Sequence, residues 1–173
     1  MRRPRLRPEI RLTEIPGPGR VAPFSVAFEG EVELDTELAT GRFVALHDPL
    51  GQDPWDGDFR VITLTRATLD PEMASESLLG DVAWSWVREL VERSEVGAHA
   101  LGGTVTRVLS SSYGSLSERP DVVDLEIRAS WTPDGLNLGD HLRLWADLMA
   151  TAAGLPPLPD GVAAFDRNRL AVR

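Results

Sequence analysis

Two charged residues on one predicted strand, Glu126 and Arg128, are the first candidates for a binding site. They flank Ile127, so the alternation of a strand places both on the face opposite the apolar side chains. If the preceding strand pairs with theirs, Arg107 lies opposite them and Tyr113 lies near the strand end. Such charges can hold a peptide or a polar ligand. We predict a ligand- or partner-binding site at these four residues; the alternative is a solvated ladder of cross-strand ion pairs, worth about 0.2–1 kcal/mol per pair.

A loop rich in aspartate, residues 48–58, is a second candidate. Asp53, Asp56 and Asp58 lie close together there, and calcium binds carboxylate oxygens on a turning backbone. Their spacing does not match an EF-hand, and two Asp-Pro pairs and one Asp-Gly pair are typical of turns. The sequence therefore favours a plain loop between strands over a metal site.

The remaining chemical groups form no recognised catalytic pattern. His47, His99 and His141 do not stand at helical i, i+4 spacing, so a metal-binding pair is not supported. The serines at 110–112 lack the Gly-x-Ser-x-Gly pattern of a nucleophile elbow. The pair Gly102-Gly103 precedes a strand and not a helix, which indicates a turn or a close backbone approach and not a phosphate loop. We predict no catalytic residue, no metal and no cofactor.

The composition describes one domain of ordinary size. The chain has 173 residues, 42% hydrophobic and 26% charged, which is enough to bury a core. It has no cysteine, which excludes thiol catalysis, disulfides and cysteine-based metal sites. No apolar run reaches the roughly 20 residues of a membrane helix, and no apolar segment follows the N-terminal arginines as in a secretory signal. We expect a cytoplasmic protein that does not contact a membrane.

Charge is distributed unevenly along the chain. Residues 1–20 hold six arginines and two acids, whereas the rest holds twelve arginines and 25 acids. Prolines at 4, 8, 16 and 18 predict an extended arm, which Ile10, Leu12 and Ile15 could hold against the body. A basic arm could touch nucleic acid, although the acidic body would repel a phosphate backbone. The alternative is a solvated tail with no specific role.

Hydrophobic periodicity predicts five strands and two main helices. Alternation predicts strands at 24–34, 41–47, 59–69, 103–113 and 122–131. Stripes at helical spacing predict a helix that Asp81 caps and another that Asn137 begins. A short helical turn is also predicted between Asp70 and Leu79.

The resulting order, βββαββα, predicts the α+β class. Consecutive strands without intervening helices favour a twisted five-stranded antiparallel sheet with both helices on its apolar face. We divide the chain into a basic Pro/Arg arm (1–20), one α+β domain (21–156) and a loosely ordered C-terminal tail (157–173).

Several segments together resemble a known family. These segments are residues 7–16 (Arg-Pro-Glu-Ile-Arg-Leu-Thr-Glu-Ile-Pro), 37–49, 100–106 (Ala-Leu-Gly-Gly-Thr-Val-Thr) and 126–133. They are similar to an uncharacterised actinobacterial family, the domain-of-unknown-function family numbered three thousand. The resemblance covers nearly the whole chain and implies a cytosolic protein. It brings no known activity and no assigned catalytic residues.

The family resemblance also suggests a fold. Its members are expected to have a helix before the segment at 7–16. This chain starts at Met1, and we expect either that the helix is missing or that the start is placed after it. With that helix, the order would be αβββαββα, which is similar to the type III secretion chaperones. Those proteins are commonly dimers that bind partner chains. This is an analogy of fold only, and fold does not give function.

Three functions remain open from the sequence. The first is a non-enzymatic adaptor, expected to be a homodimer, to bind a heterologous protein, or both, through the sheet or a helix face. The second is a small-ligand protein or an enzyme, with Trp84, Trp131 and Tyr113 lining a pocket between sheet and helices. The third is a nucleic-acid accessory protein that acts through the N-terminal arm. We favour them in that order.

Overall fold

A single antiparallel sheet of six strands forms the body of the protein, in the order β1-β2-β3-β4-β6-β5. A computed structural model describes residues 6–69, 72, 78–94 and 96–157. The elements are β1 (Ile10–Ile15), β2 (Phe24–Glu33), β3 (Glu37–Gln52), β4 (Gly57–Leu69), α1 (Leu79–Arg93), β5 (Ala98–Ser110), β6 (Val122–Pro133) and α2 (Leu138–Ala152). The predicted α+β class with an antiparallel sheet and two helices is confirmed.

The predicted count of five strands is wrong, because the N-terminal segment supplies a sixth. The six residues of β1 pair with β2 along their whole length. Prolines bracket β1 at 8 and 16, which hid it as a strand in the sequence. An edge strand needs only one row of ladder hydrogen bonds, so flanking prolines do not prevent it. Ile10 is buried against the core, as its place in the alternation requires.

Alternation along each strand divides the sheet into an inner and an outer face. On β6, the side chains of Val123, Leu125, Ile127, Ala129 and Trp131 are all buried on the inner face. The matching residues of β4 are Val61, Thr63, Thr65 and Ala67, which are also buried. Both helices contribute to the same core as these side chains. The opposite side chains of each strand therefore form a second face, which no helix among the described residues covers.

The helix α2 is the main cover of the inner face. Ten of its fifteen residues are buried. Its Trp145 has no exposed surface and donates its indole N–H to the Leu64 carbonyl and to Thr65 Oγ1, each at 3.2 Å. The helix starts after Asn137, close to the predicted start, although the Asn137 side chain caps no backbone group and donates instead to Asp140.

Two glycines let α2 lie close to the sheet. Gly30 on β2 is opposite Gly41 on β3, and both lie under Trp145 and Met149. A Cβ atom at Gly30 would come within 2.7 Å of the Trp145 ring, and one at Gly41 within 2.8 Å. The absence of a side chain at these two positions therefore permits the close approach of the helix.

Some predicted segments lie outside the described residues. The helical turn expected between Asp70 and Leu79 falls mostly on positions 70, 71 and 73–77, and the C-terminal tail falls mostly on 158–173. The division into arm, domain and tail therefore stays a prediction.

Candidate binding site

The outer face of the sheet is the candidate site, and we call its concave part the outer trough. It runs across β3, β4, β6 and β5, and it has an apolar half of about 360 Å³ and a polar half of about 430 Å³. Its outward side chains come from Thr40, Arg42 and Val44; Ile62, Leu64, Arg66 and Thr68; Asp124, Glu126, Arg128 and Ser130; and Thr104, Thr106 and Val108.

The apolar half of the trough has a floor of branched side chains. Val44 on β3 is directly opposite Ile62 on β4, and Leu64 follows on the same face. Ile62 keeps 42% of its surface exposed although it lies on a central strand. On the β5 side the floor is completed by Gly102, where an added Cβ would meet nothing within 4 Å. These residues form an open apolar groove next to solvent.

The polar half is organised by one glutamate between two arginines. Glu126 Oε2 accepts a hydrogen bond from Arg66 Nε at 2.6 Å, and Glu126 Oε1 lies 2.8 Å from Arg128 Nε. Arg42 donates in the same way to Glu29 at 2.7 Å. These arginine side chains are more than half exposed, so each pair adds only about 0.2–1 kcal/mol to stability. Glu126 and Arg128 therefore take part in a ladder of ion pairs, which is the predicted alternative to a binding site.

Arg60 lies next to Ser130, just beyond the end of the apolar half, and differs from the arginines that line the trough. Its Nη1 donates to the Ala100 carbonyl and to Thr132 Oγ1, both at 3.0 Å, and its Nη2 donates to Ser130 Oγ at 2.7 Å. In the described part of the chain it contacts no carboxylate. Partial burial of the guanidinium lowers the pKa of Arg60.

A bulge in β5 places the Ala100 carbonyl next to Arg60. His99 pairs with Thr132 and Gly102 with Ser130, so one extra residue is inserted on β5. Ala100 has a φ of 51°, in the left-handed region that costs a residue with a Cβ roughly 1–2 kcal/mol. Bulges of this kind change the direction of a backbone group next to a site.

His99 links three segments beside this bulge. Its Nδ1 contacts Asp134 Oδ1, and its Nε2 lies 2.9 Å from the backbone oxygen of Asp56. The hydrogen bond to Asp56 first, and then the one to Asp134, raises the pKa of His99. Only a doubly protonated imidazole can donate to both oxygens, so the cationic form holds the loop before β4 to the end of β6.

The four residues predicted from the sequence do not form one site. Glu126 and Arg128 lie together in the outer trough, as predicted. Arg107 does not join them, because its partner on β6 is Leu125 and its side chain therefore lies on the helix side of the sheet. Thr106 and Thr104 take the predicted places opposite Glu126 and Arg128.

Tyr113 is separated from the trough as well. It follows β5, and the last pair of that strand joins Ser110 to Val122. Arg128 is six residues further along β6, which is about 20 Å in a strand. Tyr113 is 81% exposed, whereas Trp131 is fully buried nine residues beyond Val122. Tyr113 and Trp131 therefore do not line a common pocket.

Arg60, Arg66 and Ile62 are the site residues that sequence reasoning missed. One signal was available, because Ile62 and Leu64 have the opposite parity to Phe59 and Val61 in the predicted strand. Such a pattern is also typical of a central strand buried on both faces. It marks instead an apolar patch that stays open on the outer face.

His47 and His141, which were also candidates in the sequence, pack against aromatic side chains of the domain. The His47 ring lies between Phe24 and Phe59, with ring centroids 5.7 Å and 4.1 Å away. His141 is buried and accepts the Trp131 indole N–H at Nδ1, at 3.0 Å, and burial lowers its pKa. Across residues 6–69, 72, 78–94 and 96–157, no three His, Asp or Glu side chains converge as metal ligands would.

Two arginines of the N-terminal segment, Arg7 and Arg11, are engaged with the body. Arg7 is buried and donates from Nη1 to the Pro156 carbonyl at 2.6 Å. Arg11 Nη1 lies 3.5 Å from Glu31 on the neighbouring strand. From Leu6 onward, this segment therefore packs on the domain and neutralises some of its acids.

Within the described residues, no helix has the length and apolarity needed to span a membrane.

Comparisons with known proteins give one match, to a protein family. Neither the curated proteins nor the solved structures contain a match to this chain, so the resemblance to type III secretion chaperones is not supported. The family described as "Protein of unknown function (DUF3000)" matches residues 1–163, which confirms the family predicted from the sequence. The chain belongs to the DUF3000 family.

Proposed function

We propose that the protein is a non-enzymatic adaptor that binds a segment of another polypeptide in the outer trough. The observation that carries this proposal is the apolar groove of Val44, Ile62 and Leu64, left open on the face opposite both helices. Exposed apolar surface with a polar rim is typical of protein interaction sites. The rim in this case consists of Arg42, Arg128 and Ser130.

The shape of the trough favours a polypeptide over a small molecule. Small-molecule sites usually enclose most of their ligand. The two halves of the outer trough are open and adjoin each other along four strands, from Gly102 near one end to Thr68 and Val108 near the other. An extended chain can lie along such a surface and place alternate side chains in the apolar half.

The charge of the trough disfavours a nucleic acid. Arg42, Arg66 and Arg128 each contact a glutamate, and Asp124 and Glu37 also line the polar half. A phosphate backbone would have to displace these carboxylates and approach a chain of net charge −9. A partner polypeptide with apolar side chains has no such cost.

The proposal is tested by changing the floor of the groove. Ile62→Glu places a charge in the apolar half, and Leu50→Glu makes the same change at a side chain that is 95% exposed near the end of β3. Each tagged full-length protein is used for affinity capture from native lysate, with and without nuclease. Each captured partner is then purified and its Kd is measured by calorimetry. Circular dichroism and light scattering record fold and oligomeric state.

The expected result is a nuclease-resistant partner, or a second copy of the chain, that the wild type and Leu50→Glu bind equally. Ile62→Glu should weaken that binding at least tenfold, because a carboxylate on the floor must lose water when the partner binds. Equal binding by all three proteins would refute the outer trough as the docking surface. Capture that disappears with nuclease would favour the nucleic-acid function.

A further inference from the structure

We infer that Arg60 forms a carboxylate-binding subsite at the end of the apolar groove. This inference rests on the proposed function, because the carboxylate belongs to the polypeptide that lies in the outer trough. The subsite would take a carboxylate adjacent to an apolar side chain.

The contacts of Arg60 leave a defined part of its guanidinium available. A guanidinium has five N–H donors. Ala100, Thr132 and Ser130 accept three of them. In the described part of the chain, the Nε–H and one Nη2–H have no acceptor. The three bonds fix the plane of the group, and a carboxylate can accept from Nε and Nη2 together in the bidentate geometry that arginine favours.

The charge balance of the trough singles out the same residue. Arg42, Arg66 and Arg128 each have a carboxylate within 2.8 Å, whereas the three acceptors of Arg60 are uncharged. Partial burial, which lowers the pKa of Arg60, removes part of the hydration of this cation. A bound carboxylate would compensate that loss, and it would do so without displacing an internal acid.

The position of Arg60 indicates which kind of side chain should lie next to the bound carboxylate. Ile62 is two residues further on the same strand and face, at about 7 Å. Ser130 is opposite Ile62 and also accepts from Arg60, so the subsite and the apolar groove share one wall. A single residue with a branched side chain and a nearby carboxylate spans this distance. Two sources fit: a chain terminus ending in Val, Ile or Leu, and an Asp or Glu next to such a residue.

A purely structural role for Arg60 predicts different behaviour. Its bond to the Ala100 carbonyl also supports the bulge of β5, where Ala100 has a left-handed backbone. If that support were its whole role, substitution would lower stability, and carboxylates would bind no better than neutral analogues. Ligand selectivity therefore separates the two roles.

The test uses the full-length protein labelled with ¹⁵N and ¹³C, and two small probes. The first, 4-methylpentanoate, joins a branched apolar tail to a carboxylate, and 4-methylpentanamide is its neutral analogue. Titrations are followed by NMR at the Arg60 Nε–H and at the Ile62 methyl groups. The variants are Arg60→Gln, Arg60→Lys and the control Arg11→Gln, an arginine on the same face that is 71% exposed.

The expected result is millimolar binding of the acid that shifts both signals, with the amide at least tenfold weaker. Arg60→Gln should lose the tenfold preference, Arg60→Lys should keep part of it, and Arg11→Gln should keep it all. The inference is overturned if acid and amide bind equally, or if Arg60→Gln changes the melting temperature and leaves the selectivity intact. If Arg60→Gln does not fold, the ratio of the Kd values of the wild type for the amide and the acid still tests the inference.

Peptides then identify the source of the carboxylate and separate this inference from the proposed function. Acetyl-Gly-Ser-Gly-Ser-Ile is compared with its C-terminal amide and with an amidated peptide containing Asp-Ile. Preference for the free terminus or for the aspartate peptide supports the subsite and names the source, and equal binding of all three refutes it. A partner that Ile62→Glu abolishes and Arg60→Gln does not would also refute the subsite, and the adaptor function would stand.

Discussion

Gly102 and Gly103 are adjacent on the β5 side of the apolar groove, and substitution by alanine should change the free energy of unfolding in opposite directions at the two positions. At Gly103 a new Cβ would point to the helix side, where it would lie 2.8 Å from the Trp84 ring and 3.0 Å from the Ala129 Cα, and would overlap the Arg128 carbonyl oxygen. At Gly102 a Cβ would point into the open groove and meet nothing within 4 Å. Neither glycine has a positive φ, so backbone strain does not confuse the comparison.

The structure sets the size of each effect. Overpacking costs typically about 1–3 kcal/mol, and Gly103→Ala should reach about 3 kcal/mol because two of its three clashes are with the backbone of the paired strand, which has no rotamer to change. In a chain of this length, that corresponds to a fall in Tm of roughly 6–12 °C. Gly102→Ala should gain about 0.4–1 kcal/mol, since it removes freedom from the unfolded chain without strain.

Urea titrations followed by tryptophan fluorescence and by circular dichroism measure both variants against the wild type. With an unchanged m-value, the difference in midpoint gives the change in unfolding free energy. A Gly103→Ala protein within about 0.5 kcal/mol of the wild type would refute the close contact of β5 with β6 and Trp84, because the change expected from overpacking is several times larger. Destabilisation by Gly102→Ala would refute the open wall of the groove.

Three further predictions concern the core and the pH dependence of stability. Burial depresses the pKa of His141, so its contribution to the free energy of unfolding is complete above the unfolded pKa of about 6.5 and is lost as pH falls below that value. In urea titrations, His141→Gln should therefore reduce the loss of unfolding free energy at acid pH. His99 has a raised pKa, so its contribution to the free energy of unfolding is complete below about pH 6.5 and is lost as pH rises above that value; His99→Asn should remove this decline. Trp145→Phe should cost about 2–4 kcal/mol in the same titration, because it leaves a cavity and removes an indole donor from Leu64 and Thr65; a loss below 1 kcal/mol would contradict the packing of α2 on the sheet.

Local patterns were enough to predict most of the elements. Alternation in β2 and β6, and apolar stripes in α1 and α2, depend only on neighbours within each segment, and those elements form where the patterns stand. Alternation within β6 places Val123, Leu125, Ile127, Ala129 and Trp131 on one side, and all five side chains are buried. The sequence also predicted that Glu126 and Arg128 would share the opposite face, since that follows from alternation alone.

Register and long-range pairing were beyond the sequence. The face that Arg107 occupies depends on which residue of β6 it pairs with, and that register follows a bulge of one residue near Ala100. The strand β1 became visible only through its pairing with β2, because its prolines obscured the local signal. Of the four predicted residues, the structure therefore places Glu126 and Arg128 together and Arg107 and Tyr113 elsewhere.

The sequence by itself determined the class of fold and the two faces of β2 and β6, because these follow from local periodicity, and it indicated the family through segments that resemble it. Only the tertiary structure decided that the outer face stays open and that Arg60 meets its acceptors. Those acceptors lie 40 to 72 residues away along the chain, on β5 and β6. No local pattern encodes such a meeting, since it requires β6 to insert between β4 and β5 in the sheet.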